Sequence, residues 1–380
     1  MKVAFYAPMK PPDHPVPSGD RTMARLLREA LKAAGHEVSL ACRLRSREPA
    51  GDLRRQERLR TIGEKLAARY VARHGTGRRP DLWFTYHLYY KAPDWVGPLV
   101  SRRLGIPYVV AEASVAPKRA GGPWDLSHRA VLSALDQAAV ILPLTPRNAA
   151  CLPHPQRHRD LPPFLRLPAP PASRDLFALR NELALPTVDA PPLLITAAMM
   201  RPGAKLASYR LLAEALQRIA DRHWHLLVLG DGPARGEVEA AFAPLGGRVR
   251  FLGEIAPDRL ASHLSLGCLF VWPAVEEAYG MAILEAMAAG LPVVAGDEGG
   301  VSALVDNEQC GLLAEPRDAG SFANSVLRLL ADPGRRARMG EAARQKVSQR
   351  HALPAAAQNL QRSLLEALEM GAREFGARRP

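Results

Sequence analysis

The sequence predicts an α/β protein built from two doubly wound, Rossmann-like domains in tandem. Three observations predict it. Short apolar runs alternate with helical patterns in both halves, which implies parallel sheets with helices on both faces. The 380 residues are enough for two sizeable cores. A proline-rich break, PHPQRHRDLPPFLRLPAPP at 153–171, interrupts the alternation, because proline lacks the backbone donor and blocks the helical turn.

In chain order, VAFYA (3–7) reads as a strand, TMARLLREALKAAG (22–35) as a helix stopped by a glycine, and HEVSLAC as the next strand. DLWFTYH (81–87), PYVVAEA (107–113) and AVILPLT (139–145) are further strands. The break extends to about Pro192, so an N-terminal domain is expected over 1–170, a linker over 171–192 and a C-terminal domain over 193–352. In the second half PLLITAAM (192–199), WHLLVLG (224–230), RVRFLG (248–253), CLFVWP (268–273) and PVVAG (292–296) read as strands. ASYRLLAEALQRIADR, GEVEAAFAPLG and PDRLASHLSLG read as the helices between them. The tail, 353–380, reads as one amphipathic helix.

Composition, 47% hydrophobic and 23% charged, is that of a soluble globular protein and excludes disordered and fibrous classes. The four cysteines form no CxxC pair, which argues for a reduced cytosolic protein without a disulfide framework or a zinc site. No signal peptide and no run of 18 apolar residues is found. Charge is lopsided: residues 1–150 hold 25 Lys+Arg against 13 Asp+Glu, nearly the whole net charge of +13. Much of it lies in 43–79, where Leu59, Ile62, Leu66 and Tyr70 recur at helical spacing among arginines. A solvated face, a patch for anionic lipid headgroups and a nucleic-acid surface all fit that pattern; few aromatics interleave with the charge, which disfavours nucleic acid.

The stretch EEAYGMAILEAMAAGLPVVAG (276–296) is mostly small and apolar, yet carries Glu277 and Glu285 on either side of a glycine. A helix over Met281–Ala289, stopped at Gly290, puts Glu277 in the preceding loop and Glu285 just over one turn inside. A helix N-terminus offers free N–H groups and partial positive charge to a phosphate. Carboxylates beside it would accept hydrogen bonds from hydroxyl groups. Hydroxyls, phosphate and hydroxyls in series describe a nucleotide diphosphate sugar. Arg201 and Lys205, at the carboxyl end of LLITAAM, suit a pyrophosphate clamp. Gly230, in GDGP, lets backbone approach a ligand. Two facing Rossmann-like domains would leave a cleft at the carboxyl ends of their strands. No G-x-G-x-x-G follows the first strand and no Walker A motif is present, which removes the ordinary dinucleotide and NTP-hydrolase readings.

Glu277-x7-Glu285 within PAVEEAYGMAILEAMAAGLPVVA, with VLGDGP, RFLGEI, DNEQCGLLAEP and the Arg201/Lys205 strand end, resembles the retaining GT-B glycosyltransferases of family 4, over about 194–345. The resemblance implies that Glu277 binds donor-sugar hydroxyls, Glu285 the ribose, and the N–H groups of Gly280, Met281 and Ala282 the sugar and phosphate. It implies that Arg201 and Lys205 hold the pyrophosphate and that the backbone at Glu254 and Ile255 receives the base, with uridine the expected one. Transfer would retain configuration, need neither cofactor nor metal, and use no side-chain nucleophile, the departing phosphate accepting the acceptor's proton. In the N-terminal half, PSGDRTMARLLREALKAAGHEV resembles the family's first loop and helix: Gly19 would approach the donor phosphate and Asp20 the sugar or acceptor. His87 stands where the family often has a histidine, and Glu112 is a further acceptor-side candidate. Ala113 stands where many members carry a second histidine, Ala303 occupies the acid position of GG-x-x-E, and FLRLPAPP lacks the usual Asn-Gly pair. The tail helix is expected to cross back to the N-terminal domain.

The expected activity is thus transfer of a hexose from a nucleotide sugar to a hydroxyl acceptor, lipid-linked or part of an envelope glycan, at the inner membrane face. A nucleotide-sugar epimerase of similar architecture, a catalytically silent nucleotide-sugar-binding protein and a basic nucleic-acid binder are the alternatives. His128 is expected on a helix surface, His14 in a proline-rich loop with cover of the acceptor as the minor reading, and the methionines of AAMM and ILEAM as core filler.

Overall fold

A computed structural model describes residues 1–16, 18–75, 77, 79–186 and 190–376. Positions 76 and 78 of the basic segment, 187–189 of the expected linker and 377–380 of the tail lie outside the described residues. The chain divides into two compact units, residues 1–162 with the helix Leu353–Gly376, and residues 163–352.

In the first unit β1 (Lys2–Tyr6), β2 (Glu37–Leu40), β3 (Leu82–Leu88), β4 (Tyr108–Ala113) and β5 (Val140–Leu142) form one parallel sheet in the order β2-β1-β3-β4-β5. β3 and β4 are apolar along nearly their whole length because helices cover both faces of such a sheet. Winding reverses between β1 and β3, so the segments after those two strands meet at the sheet's switch point. Asp94, buried in the loop after β3, fixes that region. Its carboxylate accepts from Thr85 Oγ1 at 2.5 Å, Tyr108 OH at 2.9 Å, and the N–H groups of Val96 and Gly97 at 2.8 and 2.7 Å. One side chain thereby ties β3, β4 and the start of the helix Gly97–Leu104 together.

The basic segment is the helix Leu53–His74. It docks through buried Gln56, Gly63 and Ala67, with Leu66 and Tyr70 of the expected apolar row packed half-buried against the same core and Ile62 exposed. Gly63 explains this: a Cβ there would stand 2.3 Å from Trp95 Cβ, so the helix approaches on its smallest residues. His128 is buried, against expectation, because its helix Asp125–Gln137 turns Ser127, His128 and Val131 inward together. The tail helix packs on the helix Gly19–Ala33 and on the β4–β5 region, with Arg159 paired to Glu366.

In the second unit β6 (Leu193–Ala197), β7 (His225–Leu229), β8 (Val249–Gly253), β9 (Leu269–Trp272), β10 (Val293–Gly296) and β11 (Gly311–Ala314) form a parallel sheet in the order β11-β10-β9-β6-β7-β8. Here the switch lies between β6 and β9. β11 was not expected as a strand. The stretch 171–192, expected as a linker, contains the helix Ser173–Glu182. The proline-rich stretch before it is not a loose tether: Leu161 and Phe164 are fully buried, and Leu165 bridges to Ala352.

Candidate functional site

In the second unit, the segments that follow β6 and β9 carry seven of the predicted residues, Arg201 and Lys205 after β6 and Glu277, Gly280, Met281, Ala282 and Glu285 after β9. Gly203 (φ +85°) starts the helix Ala204–Gln217 and sets Lys205 in its first turn. After β9 the chain passes through Ala274 (φ 59°), Glu276 (φ 51°) and Gly280 (φ 69°) before the helix Met281–Ala288. Left-handed backbone is unfavourable for non-glycine residues by about 1–2 kcal/mol and survives only where surroundings enforce it. They do: Val275 N donates to Ser208 Oγ at 3.0 Å, and Gly300 N to Glu277 O at 3.1 Å. Gly299 lies so near Glu277 O that a Cβ would stand 2.0 Å away.

The two acids at 276 and 277 separate cleanly. Glu276 is exposed and pairs with Arg317 at 3.3 Å. Glu277 turns inward, its side chain 15% exposed, and its Oε2 accepts from Lys205 Nζ at 2.5 Å and Trp272 Nε1 at 3.1 Å. Lys205 Nζ also lies 5.2 Å from the Trp272 ring centroid. Acid and cation, expected to grip different parts of a ligand, are thus each other's partner across the switch point. Trp272, at the end of β9, is a member of this site that sequence reasoning missed; an indole at a strand's carboxyl end was the signal available.

The helix Met281–Ala288 has no side-chain cap, so the N–H groups of Met281 and Ala282 keep their donor capacity at its positive end. Gly280 is held in the left-handed region where a Cβ would meet Leu304 Cδ1 at 2.9 Å. The Glu285 carboxylate, just over one turn in, has no hydrogen bond or ion pair among the described residues, and burial raises it to about 7. Arg201 is exposed and unpaired among the described residues.

Gly230 and Gly232 have a different cause from the one expected. Cβ atoms there would stand 2.0 Å from Ala198 O and 2.4 Å from Met200 O. Met200 N donates to Asp231 O at 2.9 Å, so the glycines admit the chain's own β6 loop. Gly230 N donates to Gly253 O at 2.7 Å, which draws the end of β8, with exposed Glu254 and half-buried Ile255, to the same rim. Of the expected core methionines, Met200 and Met287 are buried while Met199, in the β6 loop, is 53% exposed.

In the first unit Asp20, His87 and Glu112 come together from three segments. Ser18 caps the helix Gly19–Ala33, which puts Asp20 in its first turn. His87 Nδ1 lies 2.8 Å from Asp20 Oδ1 and 3.7 Å from Glu112 Oε1. His87 (φ 64°) and Glu112 (φ 55°) are both left-handed, at the carboxyl ends of neighbouring strands. Burial opposes the imidazolium, but the Glu112 and Asp20 carboxylates outweigh it and raise His87 above its ordinary range. The His87 hydrogen bond holds Asp20 below the usual carboxylate range. Glu112 Oε2 is buried with no hydrogen-bond partner, an orphan acceptor of the kind that marks a ligand position. A Cβ on Gly19 would meet nothing within 4 Å, and its φ is not positive, so no local constraint requires glycine there.

Residues 191–332 match the family model described as glycosyl transferases group 1. The 2-deoxystreptamine glucosyltransferase of Streptomyces kanamyceticus is 31% identical over 254 residues, 62% of this chain and 65% of that protein. The chain therefore spans less than two thirds of the length of the curated relatives it matches. Among solved structures, sucrose-phosphate synthase from Thermosynechococcus elongatus aligns with TM-score 0.69 and 24% identity over 99% of both chains. Anabaena HepE, solved in complex with UDP, aligns with TM-score 0.72 and 19% identity over 96% of this chain and all of that one.

Proposed function

Since the chain belongs, through residues 191–332, to the glycosyl transferases group 1 family and has the GT-B fold, we propose that it transfers a hexose from a nucleotide diphosphate sugar, UDP-linked, to a hydroxyl acceptor with retention of configuration. The carrying observation is the Lys205–Glu277 pair at the switch point, beside an uncapped helix N-terminus and the unpartnered Glu285. A diphosphate takes the N–H groups of Gly280, Met281 and Ala282 together with Arg201 and Lys205. Sugar hydroxyls donate to Glu277, ribose hydroxyls to Glu285, and the base lies along Glu254 and Ile255. Gly230 shapes the rim by anchoring the β6 loop. Asp20, His87 and Glu112 take the acceptor. The bond from the anomeric carbon to the diphosphate breaks, the bond to the acceptor oxygen forms, and the acceptor's proton passes to the departing phosphate. UDP as the leaving group is supported by HepE's complex with UDP.

A screen of nucleotide sugars by thermal shift tests the donor half. The cognate donor raises the melting point as RT ln(1 + [L]/Kd), and UDP sugars are expected to exceed GDP and ADP sugars. No shift from any nucleotide sugar would sink the proposal. Proton NMR of the product reads retention directly: an anomer opposite to the donor's overturns it. Formation of an altered donor without acceptor would instead favour the epimerase.

No helix among the described residues is long and apolar enough to cross a membrane. The exposed arginines of the helix Leu53–His74 nonetheless suit an anionic membrane face carrying a lipid-linked or envelope-glycan acceptor, each adding roughly 1 kcal/mol near such a surface. Liposome sedimentation with and without anionic lipid decides it; equal sedimentation with neutral vesicles counts against it.

A further inference from the structure

The segment before the helix Leu53–His74, the loop after β3 and the turn Pro117–Arg119 after β4 carry three cations outside the sites above: Arg47, Lys91 and Arg119. Backbone contacts fix their neighbourhood, Glu48 N donating to Lys91 O at 2.7 Å and Trp124 Nε1 to Glu48 O at 3.1 Å. An aromatic run starts from His87. Ring centroids are 5.0 Å apart from His87 to Tyr89, 5.6 Å from Tyr89 to Tyr90 and 5.6 Å from Tyr90 to Trp124. The Arg119 guanidinium lies 5.0 Å over Tyr90 and 4.8 Å over Trp124; Lys91 Nζ lies 5.8 and 5.5 Å from the same rings. Arg47 stands beside the same run, its positive charge working against the burial that raises the Tyr89 phenol.

No described acid neutralises these three cations. Glu48, the carboxylate in their midst, is spent on the N–H groups of Ala50, Gly51 and Asp52 at 2.9, 2.5 and 3.2 Å. Arg47 Nε and Arg119 Nε are buried without a hydrogen-bond partner. Solvated surface cations need neither an aromatic wall nor buried, unsatisfied N–H groups. Such groups are rare unless something else completes them, and like charges over a low-dielectric wall favour an anion. Guanidinium forks match an oxyanion, and the run leads to it from His87.

We infer, on the premise that the first unit takes the acceptor, that Arg47, Lys91 and Arg119 bind a phosphate-type oxyanion carried by that acceptor, next to the hydroxyl-accepting cluster of Asp20, His87 and Glu112. The acceptor is therefore a phosphorylated polyol or sugar, or a lipid whose phosphate stands in the same place.

Calorimetric titration of the full chain with inorganic phosphate tests this. Arg201→Ala with Lys205→Ala serves as the background, so that donor-side phosphate binding is removed. Phosphate binding persists there, and adding Arg47→Gln with Arg119→Gln weakens it about tenfold or more, the loss expected for charge-assisted hydrogen bonds. Absent binding in the background, or binding that the added pair leaves unchanged at an unaltered unfolding midpoint, overturns the inference. Should the added pair lower that midpoint, Lys91→Gln, at a half-buried site, is titrated in its place with the same expectation. Sedimentation with phosphatidylcholine vesicles containing phosphatidic acid separates the sources. Vesicle binding lost with Arg47→Gln and Arg119→Gln supports the site with a lipid phosphate; vesicle binding unchanged while phosphate binding is lost supports it with a soluble acceptor. The donor proposal is scored apart, since nucleotide-sugar thermal shifts persist in Arg47→Gln with Arg119→Gln when only the acceptor inference fails or holds.

Discussion

Replacing Glu285 by glutamine should abolish the thermal shift from the cognate donor and, in the same protein, stabilise the unliganded fold at alkaline pH. Both effects come from one half-buried carboxyl that has no side-chain partner among the described residues. Burial raises it from 4.5 to about 7. A group whose folded value is raised contributes stability that is full below the unfolded value and lost as pH rises through the folded one. The wild type therefore loses stability between about pH 5 and pH 8, by up to roughly 3 kcal/mol, since each pH unit between the two values is worth about 1.4 kcal/mol. Glutamine has no charge to desolvate. Urea midpoints of wild type and Glu285→Gln should diverge from pH 5 to pH 8 with the variant above; parallel profiles would show that the carboxyl carries no such strain. On the proposed reading, ribose hydroxyls relieve the strain by donating to the ionised form, so donor binding should release a proton and affinity should drop up to about tenfold for each pH unit below 7. Glutamine loses the ionised acceptor, and two charge-assisted bonds at about 1.5–3 kcal/mol each amount to a hundredfold or more. Stability is surrendered at a binding position; a variant both stabilised and still shifted by donor would separate the strain from the function.

What was legible in the sequence follows from how local each feature is. The helix Met281–Ala288 and its acids were legible because propensity, glycine stop and spacing all lie within one short segment. Strands β3, β4, β6 and β7 were legible as apolar runs between turn residues. β11 was not, since GLLA is four residues long and becomes a strand only through pairing with β10. The Lys205–Glu277 pair joins residues 72 positions apart, and no spacing rule reaches across a switch in strand order. The same holds for Asp20, His87 and Glu112, whose convergence depends on β3 lying beside both β1 and β4. Left-handed backbone at His87, Glu112, Ala274 and Glu276 was invisible because none of these is glycine. Conversely, the glycines of GDGP were legible as glycines required by close approach, but what approaches is the chain itself.

His87→Ala should leave the donor-induced shift in place while lowering turnover by roughly a hundredfold or more, the usual range for a positioned acid–base or hydrogen-bonding group. The asymmetry follows from where each residue acts: every proposed donor side-chain ligand belongs to the second unit, and His87 belongs to the first. Its Nδ1 is engaged by Asp20, a carboxylate, so that nitrogen carries the proton, and no described residue engages Nε2. The acceptor hydroxyl is proposed to meet Nε2, with Glu112 Oε2, buried and unpartnered, as its second contact. The pair also sets a pH window. Asp20 is lowered from 3.8, so its contribution is present above that value and is lost as pH falls through the lower one. His87 is raised from 6.5, so its contribution is full below 6.5 and is lost as pH rises through the higher one. Asp20→Asn removes the hydrogen-bonded anion that holds His87 up and should move the alkaline limb of kcat toward lower pH, with KM for donor unchanged. A purely structural role would lower stability without moving that limb. Turnover left intact by His87→Ala, or a donor shift lost with it, would remove His87 from the acceptor's side of the reaction.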